Sequence, residues 1–346
     1  MSLLGEHFLS IDQISLDEVE KLFALSDQFL PVANRKMIFR PLEGAVLGSL
    51  FFEASTRTRV SFEAAFNRLG GSVCSTTGFT FSSMAKGESI YDTSRVISGY
   101  VDILVIRHPD KGSVAEFATA TNVPVINGGD GPGEHPTQAL LDLYTIRTEF
   151  RRLGKSLAGS HILFVGDLKY GRTVHSLIKL LSLYENLHVT LLNPPELTLP
   201  GALLDIVSRR GHRVDTCHNL ASVDGKVDII YATRIQKERF SDESIGGYTQ
   251  DYHVNGNFLS QVGDGHTVLM HPLPRDSAHE ANDLSVSLNK DPRLAIFRQT
   301  DNGIPIRMAL FASILGVDKQ VEREFRPVGW WTPRAIGPGD TDFSAI

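Results

Sequence analysis

The stretch from Ser49 to Gly71 changes its periodicity halfway along, and that change restricts the fold more than any other feature of the chain. Ser49-Leu-Phe-Phe52 reads as an apolar strand. Beyond Ser55-Thr-Arg-Thr58, Phe62, Phe66 and Leu69 fall at i, i+4 and i+7 with Ala65 on the same stripe, which is helix spacing. Gly70 and Gly71 supply the stop. The first turn of a helix leaves backbone N–H groups unpaired and carries partial positive charge. A strand that feeds directly into such a turn therefore presents an anion site, reinforced here by three hydroxyls and a guanidinium.

The same alternation recurs along the 346 residues. Ser15-Leu-Asp-Glu18 is a capping box that opens a helix to about residue 30. Strands are expected at 45–52, 72–75, 103–107 and 123–127, with helices near 89–100 and 113–120 and a long one over 136–153. After a linker at 154–160 come strands at 161–166, 188–193, 212–216, 227–233, 267–271 and 295–299, with helices at 172–184, 202–210 and within 276–290. Strands alternating with helices predict an α/β fold of two domains, each a mostly parallel sheet flanked by helices. The expected boundaries are residues 1–153 and 154–302, with the helix at about 303–317 packing back on the first domain and 318–346 as a C-terminal extension. Ligands of such sheets sit at the carboxyl ends of the strands, so the active site is expected in the interdomain cleft. The extension holds both tryptophans, Trp330 and Trp331, which predicts docking on this or a neighbouring subunit.

A formal charge of −6 argues against a nucleic-acid partner, so an anionic ligand must be held by locally placed Arg and Lys. Cys74 and Cys217 have neither disulfide-framework nor metal-ligand spacing. No stretch has the length of a membrane span and the N-terminus has no leader pattern, so a cytoplasmic protein without membrane contact is expected.

Chemistry collects at the expected strand ends. Arg107-His-Pro109 ends one strand, and the Gly-rich turn 128–133 leads from another into His135-Pro-Thr-Gln138. In the second half, Gly166-Asp-Leu-Lys-Tyr-Gly-Arg172, Thr233-Arg-Ile-Gln236 and His271-Pro-Leu-Pro274 occupy equivalent places. Gly-x-Gly-x-x-Gly is missing from the Gly166 turn, which disfavours a dinucleotide. Arg, hydroxyls, an amide and a His bind anions and stabilise developing negative charge; no carboxylate dyad or metal cluster accompanies them.

Together with Ser55-Thr-Arg-Thr-Arg59, these motifs resemble the aspartate/ornithine carbamoyltransferase family, in order and spacing, over about residues 5–317. The resemblance implies that Ser55, Thr56, Arg57 and Thr58 hold the phosphate of carbamoyl phosphate. Arg107 would bridge phosphate and carbonyl oxygen, and Thr58, Arg107 and His135 would stabilise the oxyanion, with Arg57 at the same reacting centre. Gln138 and the backbone carbonyls of Pro272 and Leu273 would hold the carbamoyl NH₂. Ser82 (or Ser83) and Lys86 match the family loop that enters a neighbouring subunit's site, implying a homotrimer with shared sites. Family ornithine enzymes typically have Cys where this chain has Pro272, and Arg172, Arg234 and Gln236 suit two carboxylates, so L-aspartate is the implied acceptor. The implied product is N-carbamoyl-L-aspartate, in an early step of de novo pyrimidine biosynthesis, with no cofactor and no metal. Regulatory or other partner subunits are left open.

Overall fold

The computed structural model describes residues 3–78, 86–234, 251–275, 283–321 and 325–332. They form two compact units, one running to Leu141 and resuming at Asn302, the other spanning Asp142–Asp301.

The first unit contains α1 (Leu16–Ala33), β1 (Met37–Ile38), β2 (Val46–Phe51), α2 (Thr56–Arg68), β3 (Ser72–Thr77), α3 (Ile90–Ile97), β4 (Ile103–His108), α4 (Ser113–Thr119), β5 (Val125–Asp130) and the first turns of α5 (Pro136–Leu153). Its parallel sheet has the order β3-β2-β4-β5. A parallel pair cannot be closed by a tight hairpin, so each strand returns through a helix and all four end at one edge. The connection after β2 goes to β3 on one side, and β4 lies on the other, so the strand order reverses between β2 and β4. The sheet's main residues, Leu47, Leu104, Val105, Ile106 and Ile126, are fully or almost fully buried, as a sheet covered on both faces requires.

The capping box at α1 is present, with the Ser15 hydroxyl accepting from Glu18 N–H and the Glu18 carboxylate accepting from Ser15 N–H. The expected apolar stripe of α2 is buried at Phe62, Ala65 and Phe66. Ser49 and Ser75, on β2 and β3, both donate to Glu63 Oε1 (2.9 and 2.7 Å), which ties α2 to the strands beneath it.

The second unit continues with β6 (His161–Val165), α6 (Arg172–Leu181), β7 (His188–Leu192), α7 (Gly201–Arg209), β8 (Arg213–Cys217), β9 (Ile229–Ala232), α8 (Gly256–Val262), β10 (Val268–Met270) and α9 (Ile296–Asp301). Its five parallel strands have the order β10-β9-β6-β7-β8, so the order reverses between β6 and β9. The strand expected at 295–299 is instead α9. Only the neighbourhood of Leu294 continues the sheet, through a bridge to Leu269, after which Ile296 starts a helix. The apolar run Leu294-Ala-Ile-Phe297 carries no period that separates the two states; the partners of the next two residues decide for helix. Helix α8, which lacks a long apolar stripe, was not expected; the Asn255 side chain caps it by accepting from Phe258 N–H (3.0 Å).

Back in the first unit, α10 (Gly303–Ile314) is buried on all sides and packs against α1 and α2. Phe311 meets the rings of Phe62 and Phe66 edge-on at 5.9 and 5.0 Å. The short strand β11 (Arg326–Pro327) pairs antiparallel with β1, and Phe325 packs edge-on against Phe39 at 5.2 Å. The start of the extension is thus docked on its own chain, whereas Trp330 and Trp331 remain 62% and 83% exposed. Both cysteines are free, and burial pushes the Cys217 thiol up to about 11.

Helix α9 is anchored by charge. Glu149 on α5 is buried and accepts from Arg298 Nε and Nη2 (2.6 and 2.9 Å) and from Arg152 Nη2 (2.6 Å). Burial alone would raise its pKa, but Arg298 and then Arg152 outweigh that and hold the carboxyl below its ordinary value. A depressed carboxyl contributes stability that is present above its unfolded pKa and lost as pH falls through the folded one. Glu149→Gln is therefore expected to lower the stability of the second unit by about 3 kcal/mol at pH 7. Urea unfolding followed between pH 7 and pH 3 should show the gap to the native chain closing below about pH 4.

Candidate active site

In the first unit, the reversal between β2 and β4 sets two expected features side by side: the α2 turn after β2 and Arg107 near the end of β4. Ser55 is the N-cap residue of α2, yet its side chain makes no capping hydrogen bond. Ser10, Ser15, Ser89 and Asn255 all cap their own helices. Ser55 thus leaves both its hydroxyl and the first N–H groups of α2 available to an anion. Thr56 and Arg57 are exposed, Ser55 and Arg59 are half-buried, and Thr58 is buried.

Arg107 is buried, 8% exposed, and its guanidinium is held from two sides. Nη1 donates to the Gly128 carbonyl at 3.2 Å, and Nη2 pairs with Glu53 Oε2 at 2.7 Å. Glu53 was not anticipated from the sequence. Register explains it, because Phe51 is paired with Arg107, and Glu53 follows two residues on. Its signal in the sequence is a carboxylate immediately before a cationic turn, a charge that does not itself bind anions. Gly129 has φ +130, and a Cβ there would lie 2.7 Å from Arg107 Nη1, so this position must lack a side chain for the guanidinium to lie against the backbone.

The turn after β5 is held through its acidic residues. Asp130 accepts from Gly112 N–H at the start of α4 (3.0 and 2.9 Å), and Glu134 accepts from the Ser10 hydroxyl (2.8 Å) and Ile11 N–H (3.1 Å). His135 follows and is buried; its carbonyl accepts from Gln138 and Ala139 N–H as α5 begins, with Gln138 half-buried. His108, the neighbour of Arg107, belongs to the core instead. Its ring lies 5.5 Å from that of Phe52, and burial lowers its pKa against the pull of Asp110 and Asp130.

The second unit repeats the logic at its own reversal, between β6 and β9. Gly166 (φ +114) allows the turn after β6 to pass against Thr233, whose hydroxyl donates to the Val165 carbonyl at 3.1 Å. Asp167 Oδ1 accepts from Lys169 and Tyr170 N–H (3.1 and 2.9 Å), bringing Arg172 to the start of α6. Arg172 and Arg234, both half-buried, follow the two strands that flank the reversal. Pro272 and Leu273 follow β10, the neighbour of β9. Leu273 has φ +56, and its N–H donates to His271 Nδ1 at 2.8 Å. Lys86 is exposed. Ser82, Ser83 and Gln236 lie outside the described residues. Among the described residues no group of His, Cys, Asp or Glu is placed to hold a metal ion, and no helix is long and apolar enough to cross a membrane.

These two units, with an anion cradle on the first and cationic strand ends on the second, define a two-domain α/β protein built around anionic ligands. Residues 6–148 match the carbamoyl-phosphate-binding domain of aspartate/ornithine carbamoyltransferases, and residues 158–314 match the aspartate/ornithine-binding domain of the same proteins. The aspartate carbamoyltransferase catalytic subunit of Saccharophagus degradans is 55% identical over 337 residues, covering 97% of this chain and all of that one (100%). The corresponding subunit of Dichelobacter nodosus is 54% identical, over 99% of each chain. Among solved structures, aspartate transcarbamoylase of Trypanosoma cruzi in complex with carbamoyl phosphate and aspartate superimposes with a TM-score of 0.82 at 37% identity, covering 90% of this chain and 98% of that one. The chain belongs to the aspartate/ornithine carbamoyltransferase family.

Gly129→Ala is expected to strain the backbone and displace Arg107, lowering stability by about 1–3 kcal/mol. Urea unfolding of the variant checks this, and unchanged stability would show that the close approach of Arg107 is not required.

Proposed function

We propose that the chain transfers the carbamoyl group from carbamoyl phosphate to the α-amino group of L-aspartate, giving N-carbamoyl-L-aspartate and phosphate, an early step of de novo pyrimidine biosynthesis. The observation that carries this reading is the uncapped N-terminus of α2 beside the backbone-held Arg107. It is supported by relatives more than half identical that are aspartate carbamoyltransferase catalytic subunits.

Ser55, Thr56, Arg57 and Thr58 take the phosphate on hydroxyls, guanidinium and backbone N–H groups. Arg107 reaches both phosphate and carbonyl oxygen, exchanging part of its pairing with Glu53 for the substrate. Thr58, Arg107 and His135 donate towards the carbonyl oxygen, where negative charge grows as the tetrahedral intermediate forms. Gln138 accepts from and orients the carbamoyl NH₂ together with the Pro272 and Leu273 carbonyls. Arg172, Arg234 and Gln236 hold the two carboxylates of aspartate and leave its neutral amine free to attack. The C–N bond forms, the oxyanion collapses, the C–O bond to phosphate breaks, and the departing phosphate takes the amine proton. No carboxylate base is needed, and orientation with charge stabilisation supplies the rate.

A cytoplasmic homotrimer completes the proposal, with Ser82 and Lys86 of one subunit entering the site of the next and Lys86 also contacting aspartate. Sedimentation is expected to give a trimer; a fully active monomer would contradict shared sites.

Incubated with carbamoyl phosphate and L-aspartate, the purified chain should form carbamoyl aspartate and phosphate in equal amounts. Carbamoylation of ornithine in preference to aspartate would overturn the assignment. His135→Ala should lower kcat by about 10²–10³-fold while inhibition by inorganic phosphate stays nearly constant, because the imidazole acts on the carbonyl and not on the phosphate.

A further inference from the structure

Behind the 271–274 loop runs a continuous buried chain of hydrogen bonds. Tyr231 OH donates to Asp142 Oδ2 (2.6 Å), and Gln299 Nε2 donates to Asp142 Oδ1 (2.6 Å). Gln299 Oε1 in turn accepts from the His271 backbone N–H at 3.0 Å. The His271 ring then spans Leu273 N–H, which donates to its Nδ1 (2.8 Å), and Asp283 Oδ2, 3.0 Å from its Nε2. Tyr231, Asp142, Gln299, His271 and Asp283 are all at most 5% exposed.

The geometry assigns the proton. Nδ1 must accept from Leu273, so the ring carries its hydrogen on Nε2 and gives it to Asp283. Asp283 is itself held, with Oδ1 accepting from Leu284 N–H at 2.8 Å. The residue so gripped, Leu273, stands at φ +56, a left-handed conformation that a leucine rarely adopts and that persists where its surroundings over-determine it. Among the described residues nothing donates to the Pro272 or Leu273 carbonyls, so the loop offers acceptors and spends none of them internally.

We propose that His271 is a positioning residue: through its Nδ1 bond to Leu273 and its Nε2–H bond to Asp283, it aims the Pro272 and Leu273 carbonyls as acceptors for the carbamoyl NH₂. Gln299 and the Asp142–Tyr231 pair hold the root of the same loop. The inference rests on the carbamoyl phosphate reading above and adds that selection for an NH₂-bearing acyl phosphate originates in this buried network. Hydrogen bonds weaken steeply once the angle at the hydrogen falls below about 120°, so the direction of the two carbonyls matters.

The test compares native enzyme with His271→Ala, Asp283→Asn and His271→Asn, the last keeping an acceptor near the position of Nδ1. For each, binding of carbamoyl phosphate, acetyl phosphate and inorganic phosphate is measured, together with thermal unfolding. Acetyl phosphate has CH₃ in place of NH₂ and cannot donate to the loop. In His271→Ala the preference for carbamoyl over acetyl phosphate should fall about tenfold, with inorganic phosphate affinity unchanged. His271→Asn should recover part of that preference, and Asp283→Asn should fall between native and His271→Ala. An unchanged preference in His271→Ala, or equal weakening of all three ligands, overturns the proposal. A native chain that binds phosphate but forms no carbamoyl aspartate instead overturns the reading on which it rests.

Discussion

Parallel strand pairing is the constraint from which the rest of this structure follows. It forces each strand to return through a helix, so the carboxyl ends of β2, β4 and β5 share one edge in the first unit, as those of β6, β9 and β10 do in the second. Where the strand order reverses, two neighbouring connections leave in opposite directions and open a crevice. The α2 turn and Arg107 flank one reversal; Arg172 and Arg234 follow the strands that flank the other. Residues far apart in sequence are set side by side because the pairing of β2 with β4 leaves them nowhere else to meet.

Charge is handled locally at both places. The chain is net negative, and its cationic groups are made useful by what holds them. Arg107 lies against the backbone at Gly128 and Gly129 and is paired with Glu53, which keeps a buried guanidinium from standing uncompensated. That pairing fixes the position of the Arg107 guanidinium from two sides. In the second unit, Glu149 does a different task with the same chemistry. It clamps Arg298 and Arg152 and so fixes helix α9, whose Gln299 supports the 271–274 loop.

Local pattern was a good guide wherever one physical cue dominated. The long amphipathic stretch over 136–153 is a helix with those bounds, and the α1 capping box forms as its Ser and Glu spacing requires. Pattern failed where the decisive partner is remote. Leu294-Ala-Ile-Phe297 has strand-like composition, but Arg298 is bound to Glu149 and Gln299 to Asp142, and those contacts make the segment α9. In the tail, the Arg326–Pro327 strand pairs with β1 and Phe325 packs on Phe39, while Trp330 and Trp331 stay exposed on this chain.

By itself the sequence determined which groups are available: a strand-to-helix turn rich in hydroxyls and guanidinium, arginines at strand ends, and a Pro-flanked histidine, in an order that resembles one enzyme family. Such features are local, set by periodicity, capping and turn chemistry over a few residues. Only the tertiary structure decided what those groups do to each other. It left the Ser55 side chain without a capping bond to its own helix, set Glu53 against Arg107, and turned His271 inward to hold Leu273. The physical reason is that hydrogen-bond partners and register across a parallel sheet depend on residues brought together from far along the chain, and no local pattern carries that information.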